Sequence, residues 1–292
     1  MPSGYSSDMK KLIIISLVAL FGLQVSAQRK AHEFSVWGGG GLSTLTYQLS
    51  LGDRSGNVGG DFGIGYTFCQ TQDKVTGTGN LYRESWGIFT GLGIAMYNTT
   101  AKLDGFKTVT TGLLDSEKDK FDLSTTLNGY NESQSAMYLN IPVMAQFDIH
   151  QFYVMGGFKI GVPLNSNYTS KNATLINEAY YVDYGVNLTT QEFAGYGKFD
   201  GRDSNGSMDL GVSLMLSLES GYKWKVGEFL SLYTGLYLDY GVSNSSKGVS
   251  TKFVNFDNTN PKDFTTNSIL AAAEKVHIMA VGFKLRLAFE KM

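Results

Sequence analysis

Three histidines, a single cysteine and one dense carboxylate run are the places where residue type and spacing in this 292-residue chain suggest chemistry. His32-Glu33 opens like a zinc-peptidase helix, but no second histidine follows at the spacing that puts two imidazoles on one helix face. His150 falls in a turn pattern. His277 lies on the last strand, where a lipid-modifying barrel enzyme would carry its base. Met279 stands where a partner serine would be needed, and no acidic partner can be named. Cys69 alone forms neither an intramolecular disulfide nor a cysteine metal cluster. The run Asp115 to Asp122 departs from the spacing of a calcium loop and reads as a solvated loop. Gly38 to Gly41 does not open a helix, so no phosphate loop is complete. The expectation is no enzyme, no cofactor and no metal.

The ends of the chain say more. Lys10 and Lys11 precede an apolar run, Leu12 to Leu23, which closes at Val25-Ser26-Ala27. A charged region, an apolar core and a small-residue site make a cleaved export signal. The run is shorter than the ~20 residues of a spanning helix. Residues 1–27 are therefore read as signal, with Met9 as an alternative start, and 28–292 as one barrel domain. The absence of a cysteine after the apolar run argues against a lipoprotein anchor. Charged residues are 17%, aromatics 13%, and the net charge is −2. That balance excludes the basic patch of a nucleic-acid partner.

From Glu33 onward the dominant period is two, which is the period of a strand. Leu210, Val212, Leu214, Leu216 and Leu218 alternate with Gly211, Ser213, Met215, Ser217 and Glu219. Phe152, Val154, Phe158, Ile160 and Val162 oppose Tyr153, Gly157, Lys159 and Gly161. The last strand sets Met279, Val281, Phe283, Leu285, Leu287 and Phe289 against Ala280, Gly282, Lys284, Arg286 and Ala288. About eight such strands alternate with tight turns, such as Asp148 to Gln151, and with long polar connections. The long ones are Asn98 to Gln134, Asn165 to Ser207 and Val242 to Ala271. The pattern predicts an all-β, antiparallel, up-and-down transmembrane barrel with long extracellular loops. Gly38 to Gly41 is expected to bulge or bend the first strand. Gln70 to Ser85 breaks the pattern, and reads either as an enlarged periplasmic turn or as a place where the strand count differs. Nothing follows the last strand that reads as a peptidoglycan-binding module.

The polar faces decide which side meets water. They are mainly Gly, Ser, Ala, Met and Tyr, too few solvated groups to coat a soluble barrel. The charges on them are Asp61, Lys159, Glu219, Asp239, Lys284 and Arg286. A cation on the lipid side costs about 2–4 kcal/mol near the midplane, so these six are expected to form a network inside a filled interior. Trp37, Trp86, Tyr153, Trp224, Tyr240 and Phe289 are candidates for interfacial girdles.

Tyr138-Leu139-Asn140-Ile141-Pro142-Val143 resembles the Tyr-Leu-x-Ile-Pro strand of the PorT-like outer-membrane β-barrel family. The glycine-rich strand Trp86-Gly87-Ile88-Phe89-Thr90-Gly91-Leu92-Gly93 resembles it too. The last strand is similar to a C-terminal assembly signal with Phe289 as its aromatic, but continues through Glu290-Lys291-Met292. The resemblance implies a small barrel of the OmpA or OmpX type and carries no functional residues over. The implied partners are outer-membrane lipid, the barrel assembly machinery during insertion, and a surface or envelope protein. The expected function is a non-enzymatic structural or adhesive scaffold of the outer membrane. A small-solute channel, a lipid-modifying enzyme and a secreted soluble barrel are the alternatives. Tyr168, Tyr180, Tyr181 and Tyr184, in the loop Tyr168 to Phe199, are the expected contact surface, since tyrosine joins apolar area to a hydrogen-bonding tip.

Overall fold

A computed structural model of the chain describes residues 29–48, 53–75, 81–171, 174–201, 203–247, 254–255, 265–273 and 275–291. The signal segment, its cleavage site and the alternative start lie outside the described residues. In chain order the strands are β1 (Arg29–Thr46), β2 (Asp53–Val75), β3 (Leu81–Leu103), β4 (Phe106–Leu114), β5 (Lys120–Asn128), β6 (Tyr130–Ile149), β7 (Phe152–Lys171) and β8 (Thr174–Tyr181). They continue with β9 (Val186–Leu188), β10 (Gly197–Asp200), β11 (Ser204–Ser207), β12 (Ser213–Lys225), β13 (Leu230–Gly241), β14 (Val254–Asn255), β15 (Thr265–Thr266) and β16 (His277–Lys291).

Eight of these close a ring. The order is β1, β2, β3, β6, β7, β12, β13, β16 and back to β1, every pair antiparallel. The protein is an up-and-down β-barrel. Its outer face identifies it as transmembrane: Phe34, Phe62, Ile64, Leu92, Phe158, Leu216, Leu236 and Phe283 are all exposed. On β3 the outward positions run from Trp86 through Ile88, Leu92 and Ile94 to Met96. About eleven residues at ~3.3 Å each, tilted by about 40°, cover roughly 28 Å, the thickness of a bilayer's hydrocarbon core. Among the described residues no helix is long and apolar enough to cross a membrane, so the crossing is made by strands.

The interior is filled from one side by Trp37. Its indole lies over a floor of glycines on β2 and β3. A Cβ added at Gly63 would stand 2.4 Å from Trp37 Cζ2, and one at Gly93 2.8 Å from the same atom. Phe89 meets the indole edge-on at 5.5 Å between ring centroids. The glycine-rich strands therefore make room for a large ring in a narrow barrel.

Several expectations need correction. Gln70 to Ser85 is not an enlarged turn: β2 and β3 pair through Gln70↔Trp86 to Val75↔Leu81, and only residues 76–80 connect them, outside the described residues. Gly38 to Gly41 makes no bulge, since β1 keeps continuous register with both neighbours across it. Trp37 and Tyr153 belong to no girdle, being buried inside the barrel; Trp86, Trp224, Tyr240 and Phe289 do face outward. Leu210 is buried rather than on the lipid face, because β12 begins only at Ser213. Glu290 and Lys291 extend the last strand against Glu33 and His32. Pro142 sits where the β3–β6 ladder lapses between Gly93↔Asn140 and Thr90↔Val143, so its missing donor breaks no bond there.

The connections Asn98 to Gln134 and Asn165 to Ser207 are largely strand, while most of Val242 to Ala271 lies outside the described residues. Past a bend at Asp104–Gly105, β4 and β5 resume at Phe106↔Leu127, three residues beyond Leu103↔Tyr130 in both chains. The β6–β7 pairing ends at Asn131↔Lys171, and β5–β8 takes it up at Asn128↔Thr174 in the same register. β11 on β7 likewise continues as β10 on β8, from Ser204↔Ser170 to Asp200↔Thr174, four residues on in each. One side of the barrel wall thus rises out of the membrane as a β-fin. From Leu103 to Leu114 it extends through about 36 Å of strand at ~3.3 Å per residue. Phe121, Leu123, Leu127, Leu175 and Ala179 bury its inner face.

Gly63→Val should drive a branched side chain into Trp37 and the Leu92 carbonyl. Overpacking of this kind costs about 1–3 kcal/mol, so the heat-resistant folded band in gel electrophoresis should disappear at a lower temperature than in the wild type. The outward Thr90→Val should leave that temperature unchanged.

Candidate functional site

Alternation sends one residue in two inward, and the polar ones meet in tiers along the barrel axis. Nearest the termini, Lys223 Nζ lies 2.7 Å from Glu33 Oε1 and 3.7 Å from Asp148 Oδ2. Tyr233 donates its hydroxyl to Glu33 Oε2 at 2.9 Å. Ser85 and Gln146 donate to Asp148, both at 2.9 Å. One step up, Arg286 donates through Nη2 to Gln146 Oε1 at 3.0 Å. Its guanidinium sits 4.0 Å from the Tyr233 ring centroid, with Phe89 and Tyr153 at 5.1 and 5.6 Å. Aromatic faces attract a desolvated cation. Arg286 is held more by rings than by carboxylates.

The next tier holds Lys284 between Asp61 Oδ2 at 3.3 Å and Glu219 Oε2 at 3.2 Å. Tyr153 donates to Glu219 Oε1 at 3.0 Å. Above it, Lys159 Nζ bonds both oxygens of Asp239 at 2.8 Å, and Ser217 donates to the same carboxylate at 2.5 Å. Tyr237 lies between the two lysines, its centroid 4.8 Å from Lys284 Nζ and 5.6 Å from Lys159 Nζ. Asn140 then donates to Tyr97 at 2.9 Å.

The barrel mouth is closed by the segment before β16. Glu132, wholly buried, accepts from Ser268 Oγ at 2.6 Å, from the Ile269 amide at 2.9 Å and from Gln134 at 2.7 Å; Tyr130 donates to it as well. A carboxylate facing the first amides of a short helical turn is a capping arrangement. It pins Ile269 and Leu270 into the apolar cluster of Leu45, Tyr97 and Tyr138.

The six residues expected inside are all on the inner face. Lys159 joins Asp239, Lys284 joins Asp61 and Glu219, and Arg286 stands apart among aromatic rings. Glu33, Lys223, Asp148 and Glu132 were missed. A signal for each existed: Glu33 shares parity with Trp37, Lys223 with Glu219, Asp148 with Met144, and Glu132 with Tyr138.

Of the expected contact surface, Tyr168 must be withdrawn. A β-bulge at Leu164 shifts the alternation of β7 and turns it inward, where it is buried and donates to the Thr266 carbonyl at 3.2 Å. Tyr181 stacks on Phe121 at 5.5 Å and bonds Asp115 and Tyr196, both at 3.1 Å. Burial first, then these two partners, push its phenol above the ordinary range. Tyr180 and Tyr184 are exposed, and Tyr184 reaches Asp119 at 3.1 Å. That bond ties the β8–β9 turn to the β4–β5 turn. With Val182, Val186 and Phe193, which is 78% exposed, they form an apolar tip on the fin. The Asp115 to Asp122 run makes the β4–β5 turn and the start of β5, and Asp115 Oδ1 accepts the amides of Glu117 and Asp119 at 2.9 Å. Among the described residues no group of three His, Cys, Asp or Glu is placed to hold a metal ion.

The fold and its filled core define the class: a closed eight-stranded transmembrane β-barrel with an extramembrane fin. No family model and no curated protein matches the chain. Solved structures with some likeness include Ail, the attachment invasion locus protein of Yersinia pestis, in complex with the heparin analogue sucrose octasulfate. It is 9% identical, covers 89% of this chain and 99% of its own, and has a TM-score of 0.29. Neisserial surface protein A follows at 12% identity, 87% and 95% coverage and a TM-score of 0.26. The outer membrane protease OmpT of Escherichia coli stands at 11%, 91% and 98%, with a TM-score of 0.27. At these values the likeness says nothing of activity, and the fold rests on the strand register.

Removing one member of a buried ion pair costs about 3–5 kcal/mol, because the other charge is left unpaired, whereas replacing both is often neutral. Lys159→Met should therefore lower the unfolding midpoint in urea sharply. The double variant Lys159→Met/Asp239→Leu should recover most of the loss.

Proposed function

We propose that the protein is an integral outer-membrane scaffold, exported through a cleaved signal, that holds the β-fin outside the cell for contact with a surface or envelope partner. The observation that carries this reading is the division of the molecule. The interior is occupied tier by tier by paired charges and aromatic rings, and the wall is prolonged on one side into an ordered fin with an exposed apolar tip. Loops and extensions on a rigid scaffold are where binding concentrates. Aromatic residues in a polar surround are what an interface core needs. Long connections on the rim opposite the termini favour an extracellular fin. The chain's segment Tyr138 to Val143, lying in β6 with Pro142 at a ladder gap, is compatible with membership of the PorT-like family.

A non-enzymatic role is supported by the surroundings of two of the three histidines. His32 faces the outer wall and bonds Tyr66 at 2.6 Å, and His150 occupies a two-residue turn with φ of 58°. The channel alternative is disfavoured because conduction requires the Lys159–Asp239 and Lys284–Glu219 tiers to part.

In planar bilayers the wild-type protein should show no large, steady conductance; such openings at neutral pH would overturn the scaffold reading. Cells displaying the protein should attach to a partner-coated surface, and Tyr184→Ser/Phe193→Ser should reduce attachment at least tenfold while the barrel stays folded. Attachment that survives both this variant and deletion of residues 174–200 would remove the fin from the function.

A further inference from the structure

Just above the apolar belt, the outward face of five neighbouring strands changes character within one residue pair. On β3 the step is from Met96 to Asn98, and on β6 from Met137 to Ser135. The next outward positions line up across the strands in two rows. In the lower row Asn98 pairs with Ser135, Ser135 with Asn167, and Asn167 with Ser207. In the upper row Ser55 pairs with Thr100, Thr100 with Ser133, Ser133 with Thr169, and Thr169 with Asn205. Every member is a neutral amide or hydroxyl. Charge returns only one row higher, where Asp53 pairs with Lys102, Lys102 with Asn131 and Asn131 with Lys171.

Two further features separate this array from an ordinary wet surface. A groove of about 550 Å³ runs over it, lined by Asn98, Ser135, Asn167 and Thr169, with Val58 and Tyr168 adding apolar surface. Ser133, Ser135, Asn167 and Thr169 have no side-chain partner among the described residues, so their groups are free to bond whatever lies in the groove. The array continues directly from a wall covered by lipid tails, so its occupant is the polar part of the same molecules. Phosphate recognition calls for Arg or Lys, and neither rows nor groove contain one. Amide and hydroxyl side chains in register at ~4.8 Å strand spacing offer paired donors and acceptors to a chain of sugar hydroxyls.

We propose that these two rows bind the neutral saccharide headgroup of a glycolipid in the leaflet on the fin side of the membrane. The proposal rests on the transmembrane fold and not on the adhesive reading of the fin tip. To test it, the full-length protein is reconstituted in phosphatidylcholine bilayers containing equal small amounts of a neutral diglycosyl diacylglycerol and phosphatidylglycerol. Lipids retained after detergent extraction are then counted by native mass spectrometry. The glycolipid should be retained at least tenfold over both phospholipids. Ser135→Ala/Asn167→Ala should weaken retention by about fivefold for each hydrogen bond lost, the equivalent of about 1 kcal/mol, with an unchanged heat-denaturation midpoint. Tyr184→Ser/Phe193→Ser should change nothing here. Equal retention of the three lipids, preference for phosphatidylglycerol, or retention unaltered in the double variant would overturn the proposal. Equally tight binding of the free disaccharide without its lipid would overturn the glycolipid as its source.

Discussion

Lipid offers no hydrogen bonds, so each backbone amide and carbonyl in the apolar belt must find its partner on the next strand. That constraint forces the eight-membered ring, and with it the pairing of β16 back onto β1. Once the ring is closed, inside and outside are assigned to alternate residues along each strand, until a bulge, as at Leu164 on β7 or between Gly56 and Gly60 on β2, shifts the alternation. The outer set can be apolar throughout. The inner set faces a narrow volume with no bulk water, so every large or polar side chain there needs a specific neighbour.

The interior meets this demand in two ways. Where the wall is glycine-rich, Trp37 fills the space and the glycines exist to admit it. Elsewhere, cations and carboxylates from different strands are paired, and hydroxyls from Tyr153, Tyr233 and Ser217 donate further to Glu219, Glu33 and Asp239. Such pairs add little net stability over an apolar core of equal volume. They do penalise register shifts. A one-residue slip of β7 against β12 and β6 would turn Lys159 into lipid and leave Asp239 unpaired inside. The charged interior is therefore a device for register as well as for filling.

The same register carries beyond the membrane. β4, β5, β8 and β10 continue the pairings of β3, β6, β7 and β11 after short interruptions, so the fin inherits its orientation from the barrel. Its inner face is buried by Phe121, Leu123 and Tyr196, and its tip is fastened by the Tyr184–Asp119 bond. Rows of side chains across the wall are a consequence of this shared register. The apolar belt, the neutral rows and the charged row above them are horizontal bands on strands that are far apart in sequence.

Much of this was legible in the residues alone. Period-two alternation fixes which residues of β12 and β16 point together, and the scarcity of solvated groups on the polar face puts lipid outside. Lys159, Glu219, Asp239, Lys284 and Arg286 follow from parity alone, because parity is a local property of an extended chain. What parity does not carry is the partner across the ring. That Lys159 meets Asp239, eighty residues on, and that Arg286 lies against Tyr233 rather than a carboxylate, depend on strand order and stagger. The long connections misled for a related reason. Thr- and Asn-rich stretches such as Thr108 to Thr111 look like loops when read singly, and become strands only because β3 and β6 hold them in register. The sequence by itself determined the faces of the strands within the apolar belt; only the closed tertiary structure decided where bulges turn those faces and which faces meet, because a ring couples residues through neighbours that no local pattern names.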